Sequence, residues 1–162
     1  MGKTSLSQRF AKNIFTNQYK KTLGVDFLIK KKYIKSIDRE VEFMIWDTAG
    51  QECYDAITTR YYKGASGALI VFSVTDKDSL NSVKKWKDKI RAECNAIPIV
   101  LIMNKIDLLN ESMVTDKEAI DLAFELKIPL MKVSVKDNIM VNESFDNLAI
   151  EFFKKGNLWY IK

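Results

Sequence analysis

Four short runs in this chain have the residue types and spacing to handle a phosphorylated ligand. Gly2-Lys3-Thr4-Ser5 is the second half of the phosphate-binding pattern G-x-x-x-x-G-K-[ST]. A lysine at that point reaches terminal phosphates, a neighbouring hydroxyl suits Mg²⁺, and amides that open a helix face the anion. Four residues alone do not fix that reading. Asp47-Thr48-Ala49-Gly50-Gln51-Glu52 follows a strand-like segment. A carboxylate at a strand end can hold Mg²⁺, usually through water, because Mg²⁺ keeps part of its hydration shell. Gly50 lets a backbone N–H approach a phosphate unobstructed. Gln51 is neutral and both donates and accepts, so it suits orienting a water rather than deprotonating it.

The other two runs suit a base. In Asn104-Lys105-Ile106-Asp107 the Asp107 carboxylate can accept both the ring N–H and the exocyclic amine of guanine, a donor pair that adenine lacks. Asn104 would tie loops together and contact the base edge, and the Lys105 stem would lie over the ring. The competing reading makes Asp107 a helix cap. In Ser134-Val135-Lys136 the Val135 N–H could donate to guanine O6. Each run is short, but the four fall in one order and each follows a predicted strand or opens a predicted helix.

The elements that must position these runs alternate between strand and helix patterns. Residues 3–13 read as a helix, and residues 25–34 and 40–46 as two strands around a polar 35–39 turn. In the second strand Val41, Phe43 and Ile45 alternate with Glu40, Glu42 and Met44. Residues 68–74 and 98–103 are continuous apolar runs, as parallel strands buried on both faces require, and 129–134 is a weaker third. Amphipathic stretches at 79–94, 115–126 and 141–155 lie between and after them. The middle one starts with a capping box, Thr115-Asp116-Lys117-Glu118. The last sets Phe145, Leu148, Ala149 and Phe152 on one stripe. This alternation predicts a doubly wound α/β domain with its ligand chemistry at the carboxyl ends of the strands.

Composition removes other chemistries. The chain of 162 residues has no histidine, which excludes Ser-His-Asp and Cys-His nucleophile pairs and His-containing zinc sites. Two cysteines, Cys53 and Cys94, are too few for a Cys₄ metal site or a disulfide framework, which predicts a reducing, cytoplasmic setting. The net charge is +5, but its 22 lysines far outnumber its 4 arginines, whereas base readout in nucleic acids leans on arginine. Lys30-Lys31-Lys32 therefore reads as a solvated strand and not as a nucleic-acid footprint. No apolar run approaches the length of a membrane span.

Taken together, the motifs resemble the Ras-like small GTPases and, within them, the Rab subfamily. The Rab likeness rests on Thr22-Leu23-Gly24-Val25-Asp26-Phe27, Trp46 through Glu52, and Tyr61-Tyr62-Lys63-Gly64-Ala65. The resemblance implies a three-layer α/β phosphate-loop domain with a mixed, mostly parallel sheet, and it covers essentially the whole chain, 1–162. It implies GTP or GDP as bound nucleotide with Mg²⁺ and slow GTP hydrolysis. Gly2, Lys3, Thr4 and Ser5 would lie along the phosphates, Phe15 edge-on to the base, and Tyr19 over the phosphates. Thr4, Thr22 and Asp47 would serve Mg²⁺, and Thr22 and Gly50 would meet the γ-phosphate. Gln51, with Thr22 and Lys3, would be the catalytic group, and Asn104, Lys105, Asp107, Ser134, Val135 and Lys136 the guanine site.

As partners the resemblance implies exchange factors, GTPase-activating proteins and effectors, met by an aromatic triad, here Phe27, Trp46 and Tyr61. From the residues alone, Trp46 could equally belong to the core. It also implies a monomer in vesicle traffic, peripheral on endomembranes. Against the family pattern, the chain begins inside the phosphate loop, so strand one and the loop's first half are expected to be missing. It also ends at Trp159-Tyr160-Ile161-Lys162 without a tail or a prenylatable cysteine. A non-catalytic Rab-like binding module is the competing expectation. An ATP-using phosphate-loop enzyme is a third reading, one that leaves Asp107 unexplained.

Overall fold

In a computed structural model the described residues are 1–17, 22, 24–48, 62–94 and 96–154. Element order is α1 (Lys3–Lys12), β1 (Val25–Ile34), β2 (Arg39–Thr48), β3 (Ala68–Ser73), α2 (Lys77–Asn81), α3 (Val83–Glu93), β4 (Ile99–Asn104), α4 (Asp116–Leu126), β5 (Leu130–Val133) and α5 (Val141–Lys154). β1 and β2 form an antiparallel hairpin, and β3, β4 and β5 form a parallel sheet in that order. The α/β architecture is thus the one the alternating pattern predicts, and its mixed, mostly parallel strands are those the resemblance implies.

Side-chain alternation along β3 and β4 builds the layers. Ile70, Phe72, Ile99, Leu101 and Met103 point to one face, where they pack with Leu80, Val83 and Ile90 of α2 and α3 and Ala119 and Ala123 of α4. Val71, Val100 and Ile102 point to the other, against Leu6 and Phe10 of α1 and Val141 and Phe145 of α5. All six residues of β4 are buried, which explains its unbroken apolar sequence. Phe10 stacks on Phe145 with ring centroids 3.7 Å apart, and Phe43 meets both rings edge-on. That cluster anchors the hairpin, because Phe43 and Ile45 of β2 join it while Met44 and Trp46 face outward.

The hairpin register follows from the same period of two. Phe27 pairs with Trp46 and Ile29 with Met44 on the outer face. Trp46 is 48% exposed and its ring lies 4.5 Å from that of Phe27, so of its two readings the surface one is correct. Lys32 of β1 reaches Asp146 of α5, with Nζ 2.6 Å from both carboxylate oxygens.

The predicted helix at 79–94 is in fact two. Asp76 caps a short α2 by accepting from the Ser79 N–H, and the Ser82 hydroxyl donates back to the Asp78 carbonyl at 2.8 Å. Ser82 itself stays in the right-handed helical region and its N–H donates to the same carbonyl at 3.0 Å, so α3 follows directly at Val83. The capping box at α4 forms as predicted, with Thr115 and Glu118 bonded reciprocally.

Candidate functional site

The strand ends and the start of α1 converge on one edge of the parallel sheet. Gly2 precedes α1 with φ +89°, a left-handed conformation, so the chain turns sharply before Lys3 and Thr4 enter the first turn. Glycine is required there for space as well as for φ. A Cβ on Gly2 would lie 2.6 Å from Asn104 Nδ2.

Around the first turn of α1 stand the groups suited to phosphate and a divalent ion. The hydroxyls of Thr4 and Thr22 share a hydrogen bond of 2.7 Å although 18 residues separate them. Asp47, at the end of β2, is 3% exposed, and its Oδ2 has no hydrogen-bond partner. Burial pushes the Asp47 carboxyl above its usual range, a shift partly offset by the Thr4 hydroxyl and the Lys3 ammonium. Burial likewise lowers Lys3, against the pull of Asp47. A desolvated ammonium, a buried carboxylate with an orphaned oxygen and two converging hydroxyls form an incomplete set, in which each group gains from a phosphate or a hard cation. The orphaned Asp47 oxygen beside two hydroxyls fits Mg²⁺, whose oxygen preference and retained waters need few protein ligands. Among the described residues no group of three or more His, Cys, Asp or Glu side chains could hold a metal by itself.

The second half of the site is organised by Asn104, the last residue of β4, which is 2% exposed. Its Nδ2 donates to the Met1 carbonyl at 2.9 Å, and its Oδ1 accepts from the N–H of Lys105 at 2.7 Å and of Val135 at 3.3 Å. One amide therefore joins the α1 loop, the loop after β4 and the loop after β5. Lys105 takes a left-handed conformation, φ +67°, which swings the chain into the 3₁₀ turn Ile106–Glu111. Asp107 does not cap that turn. Its Oδ1 accepts from the Ser134 hydroxyl at 2.7 Å, so the two base-suited runs are physically linked.

Ser134 also receives the Asp137 N–H at 3.0 Å, and the loop after β5 closes on itself through reciprocal bonds between Ser134 and Ile139. Phe15 packs on the edge of the inner cluster beneath α1. Ser5 lies within the first turn of α1. Tyr19, Gly50, Gln51 and Tyr61 lie outside the described residues.

Sequence reasoning missed Arg9 and Asp137. The Arg9 guanidinium donates through Nε to the Val135 carbonyl at 3.0 Å and through Nη2 to the Lys136 carbonyl at 2.9 Å. It also lies over the Phe15 ring, 5.4 Å from the centroid. Arg9 and its partners are separated by 126 and 127 residues, so no local spacing could have revealed the contact. The Asp137 role was closer to hand, since it follows Ser134 by three residues, a spacing at which serine accepts from the backbone.

Comparison with known proteins gives consistent matches. The family model described as the Ras family matches residues 1–154. The chain is 41% identical over 155 residues to the Ras-related protein Rab-1C of Dictyostelium discoideum, spanning 95% of this chain and 76% of that protein. It is 39% identical over 156 residues to the Ras-related protein RABD1 of Arabidopsis thaliana, spanning 96% and 75%. It is 40% identical over 146 residues to the GTP-binding protein ypt1 of Schizosaccharomyces pombe, spanning 90% and 71%.

Proposed function

Since the chain belongs to the Ras family of small GTPases and resembles its Rab/Ypt members, we propose that it is a guanine-nucleotide switch that binds GTP and GDP with Mg²⁺ and hydrolyses GTP slowly. The observation that carries this reading is the Asn104 node, which couples a phosphate-suited loop to a guanine-suited one across more than a hundred residues. Lys3 neutralises charge on the terminal phosphates, and its lowered affinity for a proton reflects a burial that such an anion relieves. Bound Mg²⁺ would screen phosphate charge and polarise the transferred group. Thr4, Thr22 and Asp47 are the groups that would hold it, Asp47 through its orphaned oxygen.

Asp107, oriented by the Ser134 hydroxyl, accepts from the two N–H groups on guanine's edge, and the Val135 N–H donates to O6. Asn104 holds the loops in register, Lys105 and Phe15 flank the base, Lys136 completes the guanine site, and Gly2 and Ser5 lie along the phosphates. Gln51 orients the attacking water, Gly50 and Thr22 meet the γ-phosphate, and Tyr19 closes over the phosphates. Release of those contacts after hydrolysis is the switching step. With no arginine assigned to the γ-phosphate, rapid turnover would need a catalytic group supplied by a partner. The paired Phe27 and Trp46 rings, with Tyr61, would form the face read by effectors in membrane traffic. Among the described residues no helix is long and apolar enough to cross a membrane.

The test is the nucleotide released on denaturing the purified protein, quantified by chromatography, together with base preference. About one guanine nucleotide per chain is expected, and Asp107→Asn should shift preference from guanine to xanthine, whose edge offers a carbonyl where guanine has an amine. A protein that binds adenine as well as guanine, or an Asp107→Asn variant with unaltered preference, refutes the reading. Gln51→Leu should slow hydrolysis while leaving nucleotide affinity intact.

A further inference from the structure

Arg9 sits on the helix that carries Lys3 and Thr4, yet its guanidinium is committed to the far side of the site. Two adjacent donors of its rigid fork take the carbonyls of two successive residues, Val135 and Lys136, at 3.0 and 2.9 Å. Among the described residues no carboxylate forms an ion pair with it, so its hydrogen-bonding capacity goes to backbone oxygens and to the face of Phe15. The effect on the loop is specific. The first bond fixes the peptide plane between Val135 and Lys136. The second fixes the next plane from its carbonyl side, while the Asp137 N–H of that same plane is held by the Ser134 hydroxyl.

The plane before these two, which carries the Val135 N–H, is held from its carbonyl side by the Ile139 N–H, which donates to the Ser134 carbonyl at 2.9 Å, so Val135 is fastened on both sides, by Ile139 before it and by Arg9 after it. In this structure the Val135 N–H points to Asn104 Oδ1 at 3.3 Å, a long bond for a buried amide and one that a better acceptor could replace. Lysine could not substitute, because a single ammonium on a flexible stem does not match two carbonyls and stack on a ring at once.

We infer that Arg9 is a positioning residue for base recognition: by clamping the Val135 and Lys136 carbonyls from α1, it holds in place the loop that presents the Val135 N–H to the O6 position of a bound purine. This rests on the guanine-nucleotide reading above, and the experiment separates the two. Binding of GDP and of 6-thioguanosine 5′-diphosphate, which keeps the ring N–H and the amine but carries poorly accepting sulfur in place of O6, is measured for the unaltered protein, Arg9→Ala and Arg9→Lys. The unaltered protein should prefer GDP. Arg9→Ala should weaken GDP by about tenfold, the scale of one well-placed hydrogen bond, and the O6-lacking diphosphate by less than about twofold. Arg9→Lys, which keeps the charge and the stem and so guards against a variant that fails to fold, should lose most of the same discrimination. Equal weakening of both ligands would mean that Arg9 only supports the fold, and unchanged GDP binding would mean that the clamp is dispensable; either overturns the inference while leaving the guanine-nucleotide reading standing. Absence of GDP binding by the unaltered protein would instead remove both.

Discussion

Replacing Gly2 by alanine tests whether the two halves of the site are joined as described. Two costs apply. The first is conformational, since φ +89° and ψ 30° place an L-residue in the left-handed region at about 1–2 kcal/mol. The second is steric, because the new Cβ would sit 2.6 Å from Asn104 Nδ2, closer than any ordinary contact. Asn104 is buried and tied at both ends of its amide, so it cannot swing aside without breaking its 2.9 Å bond to the Met1 carbonyl and straining its Oδ1 contacts. Losing that bond and disturbing the others adds about 1–3 kcal/mol. Gly64 is an internal control with φ +86° and nothing within 4 Å of its would-be Cβ, so Gly64→Ala carries the conformational cost alone.

The assay is urea unfolding of both variants followed by far-ultraviolet circular dichroism. At a slope near 2 kcal/mol per M, the extra cost at Gly2 should lower its midpoint by roughly 0.5–1.5 M more than the control. Nucleotide release should also quicken in Gly2→Ala and not in Gly64→Ala, because only the former disturbs the residue that holds the Val135 loop. Equal midpoints for the two variants would refute the claim that Gly2 and Asn104 are in obligatory close packing.

Three further outcomes follow from individual contacts. The half-buried Lys32–Asp146 pair, with Nζ 2.6 Å from both oxygens, ties β1 to α5, so Asp146→Ala should cost about 1–2 kcal/mol in urea unfolding, whereas Glu42→Ala at the exposed 3.9 Å pair with Lys31 should cost under about 0.5 kcal/mol. Asp47 is raised by burial, so the folded chain holds that proton more tightly than the unfolded one. Without Mg²⁺ and nucleotide its contribution makes stability fall as pH rises from the ordinary carboxylate range through the raised value. Asp47→Asn should remove that slope in midpoints measured in chelator, and a slope identical to that of the unaltered protein would refute the assignment. Glu118 behaves oppositely. Lys77, then the Thr115 backbone and hydroxyl, lower it to about 2, so its contribution is present above 4.5 and fades as pH falls toward 2, and Lys77→Gln should shrink that acid-side loss.

Much of this arrangement is written in short-range pattern. The hairpin register is readable from the alternation at Val41, Phe43 and Ile45, because a shift of one residue would turn Phe43 away from Phe10 and Phe145. The capping box is likewise local, and four residues suffice to specify it. The junction at Ser82 is not legible because the apolar period runs through it and serine is compatible with helix. Trp46 was ambiguous because an aromatic on an alternating strand suits either face, and only the cluster under Phe43 decides which face is inside. That Asp107 and Ser134 share one site is implied by the resemblance, but their hydrogen bond is not legible in the sequence, and neither is the clamp at Arg9, whose partners are carbonyls that every residue possesses. Backbone acceptors leave no mark on a sequence.

The amide of Asn104 has a further consequence, because its two ends are not interchangeable. Nδ2 faces a carbonyl and Oδ1 faces two N–H groups, so a half-turn about the last side-chain bond would set donor against donor on one side and acceptor against acceptor on the other. The group is therefore a keyed connector with a single seating. A loop that drifts at one end cannot be accommodated by flipping the amide, and the disturbance passes to the other end as a lost bond. Through this one side chain, the geometry at the Met1 carbonyl and the geometry at the Val135 N–H are set together or not at all.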